Sequence, residues 1–520
     1  MDIKTLTKQK IITEVIKHGH SKDEWRVMII DEYTASIISN VFTISEILSY
    51  NIISLIRIEE KEKPNLKEFS VIYFVKITET SIKSIKKDFK KKSFKSFYVI
   101  TANEITSNQL NKIDLVGPPE ISIKQLNFSF VPYESRVFIV KDNLFDGIKS
   151  FSNIFDINFN VCYTNDLTKD IAFTLNDYFE TQKKKNYGNL IILDRSVDLY
   201  TPLLHYYTFQ AILHDFKFLV DNFYIEKEIH FEESDKLWTS IRHGHIAEIN
   251  NILSEKAKIL VSGIKKLEKD IDIKDLAKIV AETPENLKLK SEVEMFLELL
   301  DKSITKFELD NLPLVSDLEQ SISTRYTKSG NKYREAINDF FDILKNPEIR
   351  KHDKLRLYLL LLVSKYTLEK NEEQHIIDKG WLSKSEINLK NKIKKMTEYF
   401  IIRKELNREI KYDISRYQPI LKDILYSFHE KKKCFINIIG CKEDSATEEV
   451  SLRQGGFVFK SNNGDSTKKK KVIVVYFIGG VTFAEIAIAY DVSSKLGIEI
   501  IVGSDQILTP ESFLDNINKI

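Results

Sequence analysis

Uninterrupted apolar runs open and close the chain, and a long stretch of helical periodicity separates them. WRVMIID (25–31), FSVIYFV (69–75) and FYVIT (97–101) carry almost no polar alternation and are rich in β-branched and aromatic residues. Such runs predict strands covered on both faces, as in a parallel sheet. Between the second and third, Ile82, Ile85 and Phe89 recur at helical spacing, which predicts an amphipathic helix with the lysines of KSIKKDFKKKSFK (83–95) outward. Strand, helix, strand is the grammar of a small α/β domain.

VGPPE (116–120) breaks that pattern, and a second α/β unit starts near SFVPYESRVFIV (129–140). After about residue 225 strand signals fade. IAEINNILSEKAKIL (246–260), SEVEMFLELLDKSI (291–304) and DKLRLYLLLLVSKY (353–366) read as helices. Strands return at KVIVVYFIGG (471–480) and GIEIIVGS (497–504), with a helix between them. The economical reading is a discontinuous second α/β domain, its sheet begun around 136–194 and completed by the last strands, interrupted by a helical insertion. The polar, lysine-flanked segment 441–471 reads as a mobile surface loop.

Composition narrows the function classes. At 520 residues the chain needs more than one core. Lys plus Arg, 78, nearly cancels Asp plus Glu, 76, so the net charge of +2 argues against a general nucleic-acid binder. The basic runs at 83–95 and 468–471 read as solvated surface. Cys162, Cys434 and Cys441 form no CxxC pair, which disfavours both a disulfide scaffold and structural zinc. The first residues lack the apolar core of a secretory signal, and no run approaches a bilayer span. A soluble, cytoplasmic protein is the expectation.

Candidate chemistry concentrates in LIILDRSVDLYTPLLHYYTFQAILHD (190–215). Asp194 and Arg195 follow a strand, where α/β enzymes bind ligands, and Asp194, Asp198 and His205 are the groups a metal- or nucleotide-dependent hydrolase would use. The structural alternative makes Asp194, Arg195 and Asp198 a buried ion network at a domain joint. It also makes Thr201-Pro202 a capped helix start ahead of an apolar face containing Leu203, Leu204, Phe209, Ile212 and Leu213. Thr509-Pro510 repeats the device, and Thr482 with Glu485 spells a capping box. His243 and His245, with Glu248 nearby, sit two apart on an expected helix and would not converge on a metal. GxxxxGK[ST], GxSxG and HExxH are absent from the sequence. Bracing therefore takes precedence over catalysis, and no metal, cofactor or catalytic residue is assigned.

The order of these motifs resembles the SM family, the Sec/Munc syntaxin-binding regulators of membrane fusion. LIILDRSVDLYTPLLHYYTFQAILHD resembles its signature, WRVMIIDEYT (25–34) its first strand, and FVPYESRVF (130–138) the entry to its second domain. LWTSIRHGHIAEI (237–249) and YDISRYQPILKDIL (412–425) resemble the start of, and the return from, its third domain. FIGGVTFAEIAIAYDV and IIVGSDQILTPESFL close the chain in the family manner, and RHGHIAEI is most like the exocytic branch.

The resemblance implies a three-domain arch of class α/β plus all-α. It comprises 1–128 (α/β, syntaxin-binding), 129–225 and 412–520 (one α/β domain in two segments), and 226–411 (mainly helical, SNARE-gripping). It implies a non-enzymatic monomer that binds syntaxin and assembling SNARE bundles and is recruited peripherally to the plasma membrane, with endosomal or Golgi transport as the alternative. Its partner-binding residues would be Asp31, Glu46, Arg57 and Lys61 in a cavity, and Leu110, Ile113, Ile121 and Ile123 in a pocket for syntaxin's N-terminal peptide. Tyr333 would stand at the helical tip. Ser36 and Thr43 replace basic contacts, and Tyr333 a hinge proline, so binding to assembled SNARE helices is expected over capture of closed syntaxin.

Overall fold

The computed structural model describes residues 2–19, 24–60, 63–113, 119–184, 186–267, 273–401, 412–430, 437–438 and 472–519; the expected loop at 441–471 lies outside them. The chain forms two compact units. One contains Met1–Asp194, Phe435–Val481 and Val492–Gln506; the other contains Arg195–Cys434, Thr482–Asp491 and Ile507–Ile520.

The first unit holds two sheets. Five parallel strands run in the spatial order Ile52–Arg57, Arg26–Ile30, Ser70–Val75, Ser96–Thr101, Glu120–Gln125. Every residue of Arg26–Ile30 and Ser70–Val75 is buried, as their unbroken apolar runs require. The two edge strands, Ile52–Arg57 and Glu120–Gln125, escape the sequence pattern because they are only partly covered and carry Ser, Arg, Glu and Lys.

In the second sheet the order is Asn437–Ile438, Ile157–Tyr163, Asn186–Asp194, Val472–Ile478, Glu499–Ser504, Val137–Ile139, Val131–Glu134. Val475 lies beside Ile191 on one side and Val502 on the other, both in parallel register. The late strands therefore complete the early sheet, and only the two outermost pairings are antiparallel. Gly503 is obligatory there, since a Cβ would stand 2.3 Å from the Phe138 ring. Phe128 and Phe130, on either side of the expected boundary at 128/129, pack with Phe74, Phe138 and Phe151 in one cluster.

The second unit is mainly helical, including Ile246–Leu267, Ile273–Leu309, Leu312–Thr324, Ala336–Lys345 and Lys351–Val363. Trp238, fully buried, stacks on Phe296 at 5.9 Å in its core. A small antiparallel sheet, Leu219–Val220, Phe223–Tyr224 and Ile229–His230, precedes these helices; two-residue strands are too short to leave a periodic signal. Among the described residues no helix is long and apolar enough to cross a membrane.

Two local expectations need correction. Thr201-Pro202 does not start a helix. Residues 201–204 form a turn, and the helix Phe209–Asp215 begins after Thr208, because the Thr201 hydroxyl is committed to the Asp198 carboxylate at 2.6 Å. His243 and His245 are not on a helix but in the turn joining Lys236–Ile241 to Ile246–Leu267. The other two caps stand: Thr509 caps Pro510–Lys519, and Thr482 with Glu485 forms a reciprocal capping box.

Candidate functional site

The polar cluster after Asn186–Asp194 is built to hold chain segments together. Arg195 forms a two-pronged ion pair with Glu485, at 2.8 and 2.7 Å, and also donates to the Asp198 carbonyl at 2.6 Å. The sequence reading grouped Arg195 with Asp194 and Asp198 and did not foresee Glu485, 290 positions away, as a carboxylate that meets the guanidinium. Sequence distance hides that pairing. The Asp198 carboxylate instead accepts from the backbone N–H groups of Tyr200, Thr201 and Ile420 (3.0–3.1 Å) and from the hydroxyls of Thr201 and Tyr417. With five donors and no exposed surface, it has no lone pair left for a substrate.

His205 is equally enclosed. Its Nδ1 is 2.8 Å from Glu319, and its Nε2 lies 3.1 Å from the Arg356 guanidinium and 3.5 Å from Asp353, while Arg356 also bonds Asp215 at 3.0 Å. Burial and the Arg356 guanidinium oppose a charged ring, yet the Glu319 and Asp353 carboxylates outweigh them and raise the imidazole to about 9. Asp353 is held below the usual carboxylate range because the neighbouring His205, Arg356 and Arg350 overcome its burial. This is a closed network of mutually neutralising charges. The geometry offers no open position at His205 or Asp198 to a reacting molecule.

Two further features bear on ligand chemistry. Gly479 and Gly480 aim their N–H groups at one oxygen, as a phosphate-binding nest does, but that oxygen is Oδ1 of Asp505, at 2.9 and 3.0 Å. The chain's own carboxylate fills the nest. His243 packs on Tyr490 and His245 stacks on Tyr412 at 3.8 Å, so the pair diverges. Among the described residues no group of three or more His, Cys, Asp or Glu side chains is gathered to hold a metal ion.

The expected partner-binding residues fall into three situations. Asp31 and Arg57 come together at the ends of adjacent strands. Asp31 caps the helix Glu32–Val41 through Thr34 N–H (2.7 Å) and accepts from Lys76 N–H (2.6 Å), and the Arg57 guanidinium donates to its carbonyl at 3.4 Å. Arg57 remains 42% exposed, and Glu46, 44% exposed, bonds Lys8 and caps its own helix through Thr43 N–H. Lys61 lies outside the described residues.

Of the pocket residues, Leu110 is 48% exposed, Ile121 and Ile123 are half-buried, and Ile113 is 1% exposed. Ile113 is thereby a core residue of the first unit rather than a contact surface.

Tyr333 lines a cleft of about 770 Å³ bounded by the helices Leu312–Thr324 and Ala336–Lys345 and a hairpin in which Tyr326 bridges Lys332. Its hydroxyl donates to Asp339 at 2.5 Å, and Lys328 pairs with Asp317 at 3.4 Å across the same cleft. Burial and the Asp339 carboxylate raise the phenol well above its ordinary range. The other lining residues, among them Leu314 (55% exposed) and Arg334, escaped sequence reading. Tyr333 itself was reached only through the family resemblance, since nothing in SGNKYREAI (329–337) marks a cleft.

Comparison with known proteins places this geometry. The Sec1 family model matches residues 26–516. The protein transport protein sec1 of Dictyostelium discoideum is 22% identical over 99% of this chain and 98% of its own length. The SNARE-interacting protein KEULE of Arabidopsis thaliana is 21% identical, covering 99% and 95% respectively. Among solved structures, the Unc18–syntaxin 1 complex from Monosiga brevicollis aligns over 100% of this chain and 99% of the matched chain, with a TM-score of 0.83 at 20% identity. A match that begins in the first buried strand and ends in the last helix leaves one conclusion: the chain belongs to the Sec1 family.

Proposed function

We propose that this chain regulates vesicle fusion at the plasma membrane by binding a syntaxin-type SNARE and aligning SNARE helices for assembly. The observation that carries the reading is the family match along 26–516, whose relatives include proteins named for SNARE interaction and protein transport. SNARE helices must meet in register before their heptad seams close. Holding two of them on one surface removes orientational entropy without bond chemistry, which suits a chain whose Asp198 and His205 are consumed in bracing. Arg57, Glu46 and Leu110 are the exposed contacts in the first unit, and the cleft at Tyr333 is the contact in the helical unit. If Leu110 receives an N-terminal peptide of syntaxin, the tether raises the local concentration of the remaining helices to roughly millimolar.

The experiment is retention of the cognate plasma-membrane syntaxin, full length and without its N-terminal peptide, on the immobilised folded chain. Retention of the full-length form with weakened retention of the truncated form is the expected result. Loss of both forms sinks the proposal, and preferential retention of an endosomal syntaxin moves it to another trafficking step.

A further inference from the structure

One motif is left unused by this function. Seven lysines and a single acid, Asp88, occupy 83–95, in a chain whose net charge is only +2. The helix Glu79–Lys90 buries Ile82, Ile85 and Phe89. Lys83, Lys86, Lys87 and Lys90 follow at i, i+3, i+4 and i+7, so they share one stripe, on which Lys83, Lys87 and Lys90 are exposed and Lys86 is half-buried. Lys91 and Lys92, both exposed, extend it into the following turn.

The acid does not neutralise the stripe. Asp88 turns inward, its side chain 8% exposed, to bond Lys63 at 2.9 Å and the Tyr73 hydroxyl at 2.7 Å. Among the described residues Lys86, Lys90, Lys91 and Lys92 form no salt bridge; Lys83 has Glu79 one turn before it, though that carboxylate is bonded to Lys112. The long helix Ile273–Leu309 supplies an internal control. Those of its lysines whose side chains are described are matched at i,i+4 or i−4 by acids: Lys288–Glu292, Lys290–Glu294, Lys302–Glu298 and Lys306–Asp310, at 2.8–3.8 Å. That is how an ordinary solvated face is balanced. The helix dipole favours cations in the last turn, which accounts for Lys87 and Lys90 but not for Lys83 and Lys86.

We propose that this stripe docks the protein on an anionic membrane leaflet by attracting acidic phospholipid headgroups. The proposal rests on the reading that the chain acts at a membrane. Lipid is favoured over nucleic acid by the side chains themselves. The run contains no arginine for bidentate phosphate or base contacts. Its aromatic residues Phe89 and Phe94 are buried, at 7% and 2% exposure, so no stacking platform is offered. Flexible ammonium groups on one convex helix side suit a diffuse field of headgroups, to which each lysine adds a similar increment.

The test is co-sedimentation of the full chain with vesicles of 30 mol% phosphatidylserine in phosphatidylcholine, against pure phosphatidylcholine, at low and high salt. The expected result is at least about tenfold preference for the anionic vesicles, erased by high salt. K83E/K87E/K90E/K91E should remove the preference, and the milder K83Q/K87Q/K90Q/K91Q should lower it part-way, with melting temperature and syntaxin retention unchanged. Equal binding to both vesicles, or undiminished binding by the glutamate variant, overturns the proposal. Stronger retention on duplex DNA than on the anionic vesicles also overturns it. Loss of syntaxin retention with vesicle preference intact defeats the proposed function and leaves the membrane contact standing.

Discussion

Arg195 and Glu485 form a two-pronged buried ion pair, Nη1–Oε2 2.8 Å and Nη2–Oε1 2.7 Å, across 290 positions of chain. Their side chains are 4% and 0% exposed, and Glu485 also closes the capping box with Thr482. Breaking such a pair from one side strands a buried charge, which costs about 3–5 kcal/mol, whereas an apolar replacement of both members is often neutral. Arg195→Ala and Glu485→Ala should each lower the urea midpoint sharply. Arg195→Met combined with Glu485→Leu should recover most of the loss.

Asp198 makes a complementary prediction about chemistry. Asp198→Ala leaves the Thr201 hydroxyl and the Ile420 N–H without their acceptor and should destabilise by about 1–3 kcal/mol per orphaned group. The hydrolase alternative predicts instead that millimolar nucleotide or divalent metal raises the melting temperature of the wild type. No rise is expected, and a rise abolished by Asp198→Ala would reinstate that alternative.

Two buried histidines set opposite limits on the stable pH range. His205 sits at about 9 in the folded chain against an ordinary 6.5, so its stabilisation is complete below 6.5 and is lost as pH climbs to 9. Burial drives His214 the other way, to about 4, against a weaker opposing bond to the Gln210 carbonyl. Its Nε2 accepts from Asn222 N–H at 3.3 Å, an arrangement that requires the neutral ring. That contribution is present above 6.5 and is lost as pH falls towards 4. Chemical denaturation across pH 4–9 should therefore show a maximum. His214→Gln should make the acid limb shallower, while the lowered His243 and Asp353 keep part of it, and His205→Gln should flatten the alkaline one.

Exposure separates contact residues from core residues in binding assays. Arg57→Glu and Leu110→Glu should weaken syntaxin binding by about tenfold or more with unchanged melting, as reversal or burial of charge at an interface does. Ile113→Glu should unfold the first unit, because it places a carboxylate in the core. Isothermal titration beside a melting curve distinguishes the two. Binding by Arg57→Glu and Leu110→Glu at wild-type strength would remove these positions from the interface.

Much of the first unit was readable because fully covered strands advertise themselves. Val27 to Ile30 and Val71 to Val75 are apolar at every position, and the parallel pairing of Val472–Ile478 with Asn186–Asp194 follows from two such runs needing partners. Helix starts at Thr482 and Thr509 were equally legible, since capping is decided within four residues. The start expected at Thr201 failed because a distant demand, the five-donor shell of Asp198, claimed its hydroxyl.

What the sequence by itself determined is what local chemistry decides: which runs must be buried, where helices begin, and an order of motifs similar to the SM family. Tertiary structure decided what depends on through-space neighbours: that Arg195 meets Glu485, that Asp505 fills the glycine nest, and that Ile113 faces inward while Leu110 does not. Period and propensity act over a few residues, whereas charge pairing and burial act over a few ångströms, and only folding converts one measure of distance into the other.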